Sequence, residues 1–97
     1  MDIRVFLADD HAAIRRALRD LLEAQVNLTV VGEAGNGFDV VEQASQVRPD
    51  VVVLDVSMPG INGFEATRQI CEASPSTQVI IVSMSNTKWD PEKGKNP

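Results

Sequence analysis

Three aspartates are the residues of this chain best placed to do chemistry. Asp55 closes the apolar run Val51, Val52, Val53 and Leu54, and the turn Met58-Pro59-Gly60 follows it. Asp9 and Asp10 close a second apolar run, Ile3–Ala8. A carboxylate at the carboxyl end of a buried parallel strand lies where open α/β sheets build their sites. It is there to react, or to hold a metal that does. If the two strands are parallel neighbours, all three carboxylates converge at one end of the sheet, where anions repel unless a cation sits among them. A hard divalent ion with oxygen ligands, Mg2+ above all, meets that need. The competing reading is that each acid caps a following helix. It suits Asp9 and Asp10 taken alone and suits the trio with its Met-Pro-Gly turn poorly.

The elements that must position these acids alternate along the chain. The Ile3–Ala8 strand leads to a helix whose apolar stripe is Ile14, Ala17, Leu18, Leu21 and Leu22, at the spacing of one helical face. Arg15, Arg16, Arg19 and Asp20 fall on its other face, where they are expected to be solvated. Residues 28–31 form a second strand, and Gly32–Gly37 read as the turn after it, with the wrong spacing for a dinucleotide-binding loop. Val40, Val41, Ala44 and Val47 give a second helical face that ends before Pro49. The Val51–Asp55 strand is apolar throughout, as strands buried on both faces are. Asn62-Gly63 opens a third helix carrying Phe64, Ala66, Thr67, Ile70 and Cys71, stopped by Pro75, and residues 78–83 form a fourth strand. The order β-α-β-α-β-α-β specifies right-handed crossovers and a parallel, doubly wound α/β sheet.

Composition narrows the class. Ninety-seven residues make one domain. A net charge of −5, with no block of Lys or Arg to neutralise phosphates, argues against a nucleic-acid-binding surface. Nothing resembles a signal peptide or a membrane span. Cys71 is the single cysteine, expected to be a buried or half-buried helix thiol in a reducing compartment. A soluble cytoplasmic domain is the expectation.

Asp9-Asp10-His11 after the first strand, Asp55 with Met58-Pro59-Gly60 and Asn62-Gly63, and Ser83 at the end of the fourth strand together resemble the receiver domain of bacterial two-component response regulators. Val31-Gly32-Glu33-Ala34 and Asn36-Gly37 resemble more narrowly the receivers of LuxR-type transcription regulators. The resemblance implies a flavodoxin-like sheet whose four strands lie in the order 2-1-3-4. It implies that Asp55 accepts a phosphoryl group from a sensor histidine kinase and that Ser83 contacts a phosphoryl oxygen. It further implies Mg2+ held by Asp10, Asp55 and the Ser57 backbone carbonyl, and by Asp9 through water. Such a domain is a phosphoacceptor, not a turnover enzyme, and it controls a DNA-binding effector. His11 sits beside the site in that subfamily and is not the acceptor.

The resemblance runs to about residue 86. Residues 1–86 then make an incomplete receiver, without its fifth strand and last two helices, and 87–97 a polar tail. A receiver carries a lysine at the end of its fifth strand. Lys88, Lys93 and Lys95 stand in no strand-like run, and Trp89 lies among them. Loss of such a cation is expected to weaken transition-state stabilisation on the order of 10²-fold. The fourth strand would become an apolar edge, a template for pairing with another chain, so a homo-oligomer, by edge pairing or exchange of elements, is expected. Two readings stay open: a phosphoacceptor receiver, and a receiver-like interaction module without phosphotransfer. Phosphoryl uptake separates them. A third, an aspartyl-phosphate hydrolase, wants an acid two residues after the nucleophile, where this chain has Ser57.

Overall fold

The structure, a computed structural model, describes residues 2–82. Ser83 and the 87–97 segment lie outside the described residues, and so does the expected loss of the fifth strand.

The strands are centred on apolar, largely β-branched runs, and each helix forms where the period lengthens. The elements are β1 Ile3–Ala8, α1 Ala12–Glu23, β2 Leu28–Ala34, α2 Gly37–Val47, β3 Val51–Asp55, α3 Gly63–Ala73 and β4 Gln78–Val82. The described strands form one parallel sheet in the order β2-β1-β3-β4, as expected. Side chains alternate across it with period two. Phe6, Ala8, Val52 and Leu54 pack with Val40 and Ala44 of α2 and Ala66 and Ile70 of α3. On the opposite face Val5, Leu7 and Val30 pack with Leu18 and Leu22 of α1. Helices therefore cover both faces. Within β3, Val52, Leu54 and Asp55 are buried whereas Val51 and Val53 are half-buried, so the strand is less enclosed on the α1 side than its sequence suggested.

Three local expectations need correction. Residues 32–34 belong to β2 and are not a turn; only Gly35 and Asn36 separate β2 from α2. The Phe6 ring explains the glycine within that strand, because a Cβ on Gly32 would lie 2.6 Å from the ring edge. Pairing along β2 also slips between Val5 and Phe6: Val5 opposes Val30, and Phe6 opposes Gly32. This bulge moves Glu33 opposite Leu7, on the α1 face that Val30 also occupies.

The second correction concerns α1. Leu21 is 66% exposed and Ala17 is exposed, while Arg15 and Arg19, expected to be solvated, are half-buried. Glu33 is the cause, since both guanidiniums turn toward it. Third, Cys71 is exposed. The face of α3 that packs inward is Gly63, Ala66 and Ile70, and Cys71 lies one position round the helix from Ile70.

The end of the sheet away from the aspartates is tied by polar contacts. Arg4 donates through Nη1 to the Arg48 carbonyl and through Nη2 to the Val47 carbonyl, both at 2.9 Å. It thus satisfies carbonyls at the C-terminus of α2 that have no helical partner. Arg48 itself takes a left-handed conformation (φ 48°) and ends the helix. The buried Thr77 hydroxyl donates to the Pro49 carbonyl at 2.7 Å, joining the start of β4 to the entry of β3.

Candidate functional site

Register brings the acids together. Ala8 opposes Leu54 in the β1–β3 pairing, so the next residues, Asp9 just past β1 and Asp55 at the end of β3, lie side by side at the carboxyl end of the sheet. In the order β2-β1-β3-β4, the chain's crossovers reverse direction between β1 and β3, and open α/β sheets bind ligands in that crevice. One ligand atom each from Asp9, Asp10, His11 and Asp55 lies within 4.8 Å of the others. Asp9 and Asp55 are buried, whereas Asp10 and His11 are exposed.

Each acid is oriented locally. Asp9 Oδ1 accepts from the His11 backbone N–H at 2.7 Å. The His11 Nδ1 lies 3.3 Å from Asp9 Oδ1 and 3.0 Å from Asp10 Oδ1. His11, not an aspartate, is the N-cap of α1, and its side chain makes no capping bond. The helix-capping explanation of Asp9 and Asp10 is thereby excluded. Asp55 Oδ1 accepts from the Ser57 backbone N–H at 3.0 Å and from the Ser57 hydroxyl at 2.9 Å. These bonds fix the carboxylate rotamer.

The loop after Asp55 is held by its neighbour. Gly60 has φ +91°, a left-handed conformation that suits glycine. Gly37, the first residue of α2, donates its N–H to the Pro59 carbonyl at 2.9 Å. The approach is so close that a Cβ on Gly37 would lie 2.3 Å from the Ile61 carbonyl oxygen. Asn36 caps α2 by accepting from the Asp39 N–H, and Asn62 caps α3 by accepting from the Glu65 N–H.

The donor set fits a hard cation. Asp9 Oδ2 is buried and has no hydrogen-bond partner among the described residues. A buried carboxylate oxygen left unpaired is costly, and a divalent ion liganded by oxygens offsets that cost. The carboxylates, not the His11 imidazole, match that preference.

Two features escaped sequence reasoning. The first is the Ser57 hydroxyl bond to Asp55, for which the Asp-x-Ser spacing was an available signal, since it permits such a local turn. The other is Arg15, whose Nη1 donates to the Asp9 backbone carbonyl at 2.6 Å while its Nε donates to Glu33 Oε1 at 3.0 Å. Glu33 also pairs with Arg19. Burial alone, the largest single influence, would raise the Glu33 carboxyl; the bonds and charges of Arg19 and Arg15 together outweigh it and hold it below its ordinary range. The same pairing raises the Arg19 guanidinium, which bonds Glu33 first and Glu23 second.

A parallel sheet covered on both faces, with an acid cluster at its switch point, defines a flavodoxin-like doubly wound α/β domain. The chain belongs to the response regulator receiver domain family, whose profile matches residues 5–96. Over 57 residues it is 49% identical to an uncharacterized transcriptional regulatory protein, YxjL, of Bacillus subtilis (strain 168), covering 59% of this chain and 26% of that protein. The response regulator domain of Thermotoga maritima CheB superposes with a TM-score of 0.78 at 40% identity, over 84% of this chain and 60% of that one. A LuxR-family two-component response regulator from Aurantimonas sp. SI85-9A1 gives a TM-score of 0.78 at 33% identity, over 84% of this chain and 58% of that one. The chain therefore spans about a quarter of the curated relative.

Proposed function

We propose that Asp55 is the phosphoacceptor of a cytoplasmic LuxR-type response regulator, loaded by a sensor histidine kinase and controlling a DNA-binding effector. The observation that carries this reading is the convergence of Asp9, Asp10 and Asp55 within 4.8 Å, at a switch point where the buried Asp9 Oδ2 has no partner among the described residues. A carboxylate oxygen of Asp55 forms a bond to phosphorus. The bond from phosphorus to the donor's imidazole nitrogen breaks, and its electron pair stays on that nitrogen, which takes up a proton. Ser57 holds the Asp55 carboxylate in one rotamer through the transfer, and orientation of this kind is a large part of what the reaction needs. Ser83 is assigned the hydroxyl contact to a phosphoryl oxygen.

Asp10, Asp55 and the Ser57 carbonyl would hold Mg2+ directly, and Asp9 through water. When bound, the ion offsets charge on the transferring group. No helix of the described residues is long and apolar enough to cross a membrane.

A second reading, an interaction module, draws on β4. Among the described strands it is an edge, with Ile80 52% and Ile81 36% exposed. We propose that two copies pair along this strand, with or without phosphotransfer.

The test of phosphoacceptance is the intact mass after incubation with acetyl phosphate and Mg2+, beside Asp55→Asn. One phosphoryl group on the unaltered protein and none on the variant is expected. No uptake by folded protein would leave the interaction module as the better reading.

A further inference from the structure

We propose that Arg15, oriented by Glu33, is a positioning residue that fixes the Asp9–Asp10 turn in the geometry that binds the cation. This rests on the metal reading above. Besides the bond from the Asp9 N–H to the Ala34 carbonyl and the His11 contacts with Asp9 and Asp10, the turn is exposed at its tip. Asp10 and His11 are exposed, and α1 begins only at Ala12 without a side-chain cap. Arg15 reaches back from the first turn of α1 to the Asp9 carbonyl, the oxygen of the peptide that joins the two acids. A long side chain with several rotatable bonds does not hold such a contact unaided. Glu33 supplies the restraint by taking the same guanidinium through Nε, so that Arg15 spans from β2 to the acid turn. Its planar fork allows both bonds at once, which a lysine ammonium on a flexible stem does not reproduce.

Glu33 can do this only because of the bulge. Without the slip between Val5 and Phe6, strict alternation would keep residues 30 and 33 on opposite faces; with it, both face α1. Bulges re-aim side chains in this way beside functional sites.

The sign of one measurement separates positioning from simple charge. Arg15 carries positive charge beside an acid cluster, so removing it should tighten cation binding if charge were its only influence. If Arg15 positions the turn, removing it should weaken binding. The full chain and its Arg15→Gln, Arg15→Lys and Glu33→Gln variants are titrated with Mg2+ by calorimetry. Hydrogen exchange of the His11 amide, which Asp9 Oδ1 accepts, is followed without metal. Arg15→Gln is expected to weaken Mg2+ binding by roughly 10-fold, the effect of losing a group that orients a ligand. It should speed His11 exchange roughly 3- to 10-fold, as loss of one hydrogen bond would, and leave the Val52 and Leu54 amides unchanged. Arg15→Lys should recover part of the affinity, and Glu33→Gln, which keeps Arg15, should lose part of it. Equal or tighter binding by Arg15→Gln overturns the proposal. Should that variant fail to fold, Arg15→Lys and Glu33→Gln with unchanged affinity and unchanged His11 exchange overturn it equally. No Mg2+ binding by the unaltered protein would overturn the metal reading itself, and this inference with it.

Discussion

Replacing Gly37 with alanine should loosen the loop that follows Asp55 by an amount the geometry sets. The new Cβ would lie 2.3 Å from the Ile61 oxygen and 2.9 Å from its nitrogen, about 1 Å short of ordinary contact. The opposing atoms are backbone, so no side chain can swing aside. Either α2 or the 59–61 segment must move by about that distance, enough to break the 2.9 Å bond from the Gly37 N–H to the Pro59 carbonyl. Overpacking of this kind costs about 1–3 kcal/mol, and the lost hydrogen bond about 1 kcal/mol more. Reduced freedom of the unfolded chain returns about 0.4–1 kcal/mol. A net loss of about 1–3.6 kcal/mol results, read from urea unfolding as a fall in midpoint of roughly 0.3–3.6 M for a slope of about 1–3 kcal/mol per M. Gly35→Ala is the control, because its Cβ would meet nothing nearer than 3.4 Å and it gains the same chain entropy. If Gly37→Ala unfolds within about 0.5 kcal/mol of Gly35→Ala, the close approach of α2 to this loop is not as described.

Further outcomes follow from the charges and the edge. The Glu33 carboxyl is held below its ordinary value of 4.5 in the folded chain, so its stabilising contribution is present above that value and lost as pH falls through the folded one. Glu33→Gln should therefore be less stable than the unaltered protein at neutral pH, with the gap closing in acid, and a gap that widens below pH 4.5 would contradict the pairing. Asp9→Asn neutralises a buried carboxylate whose Oδ2 has no partner among the described residues. In the metal-free protein it should raise stability by about 1 kcal/mol, a Tm increase of about 4–8 °C, while abolishing the Tm increase that Mg2+ gives the unaltered chain. Ile80→Lys places a charge on the exposed edge strand and should shift the protein toward monomer in analytical ultracentrifugation; an unchanged distribution would remove β4 from the interface.

Most of the scaffold was legible because its signals are local. The apolar runs ending in Asp9 and Asp55 specified β1 and β3, and their parallel pairing followed from the alternation of elements. Asn36 and Asn62 stand where helix caps are preferred, and both cap. What was hidden depends on contacts between distant residues. Nothing in the sequence around Val30 marks a bulge, and without it Glu33 falls on the wrong face. The Arg15 and Arg19 contacts, and with them the inward turn of the polar side of α1, were therefore out of reach. Cys71 and Leu21 fit a helical stripe on spacing alone, yet each lies just beyond the arc that its helix buries. Ser83 and the lysines after it lie outside the described residues.

The Asp9–Asp10–Asp55 cluster is proposed to be a Mg2+-dependent phosphoacceptor centred on Asp55. Its most direct test is to treat the protein with acetyl phosphate in Mg2+ and in excess chelator, then locate any added phosphoryl group by fragment mass. Uptake is expected only with Mg2+, confined to the fragment that contains Asp55. A phosphoryl group on His11 or elsewhere, or equal uptake in chelator, would contradict that proposal.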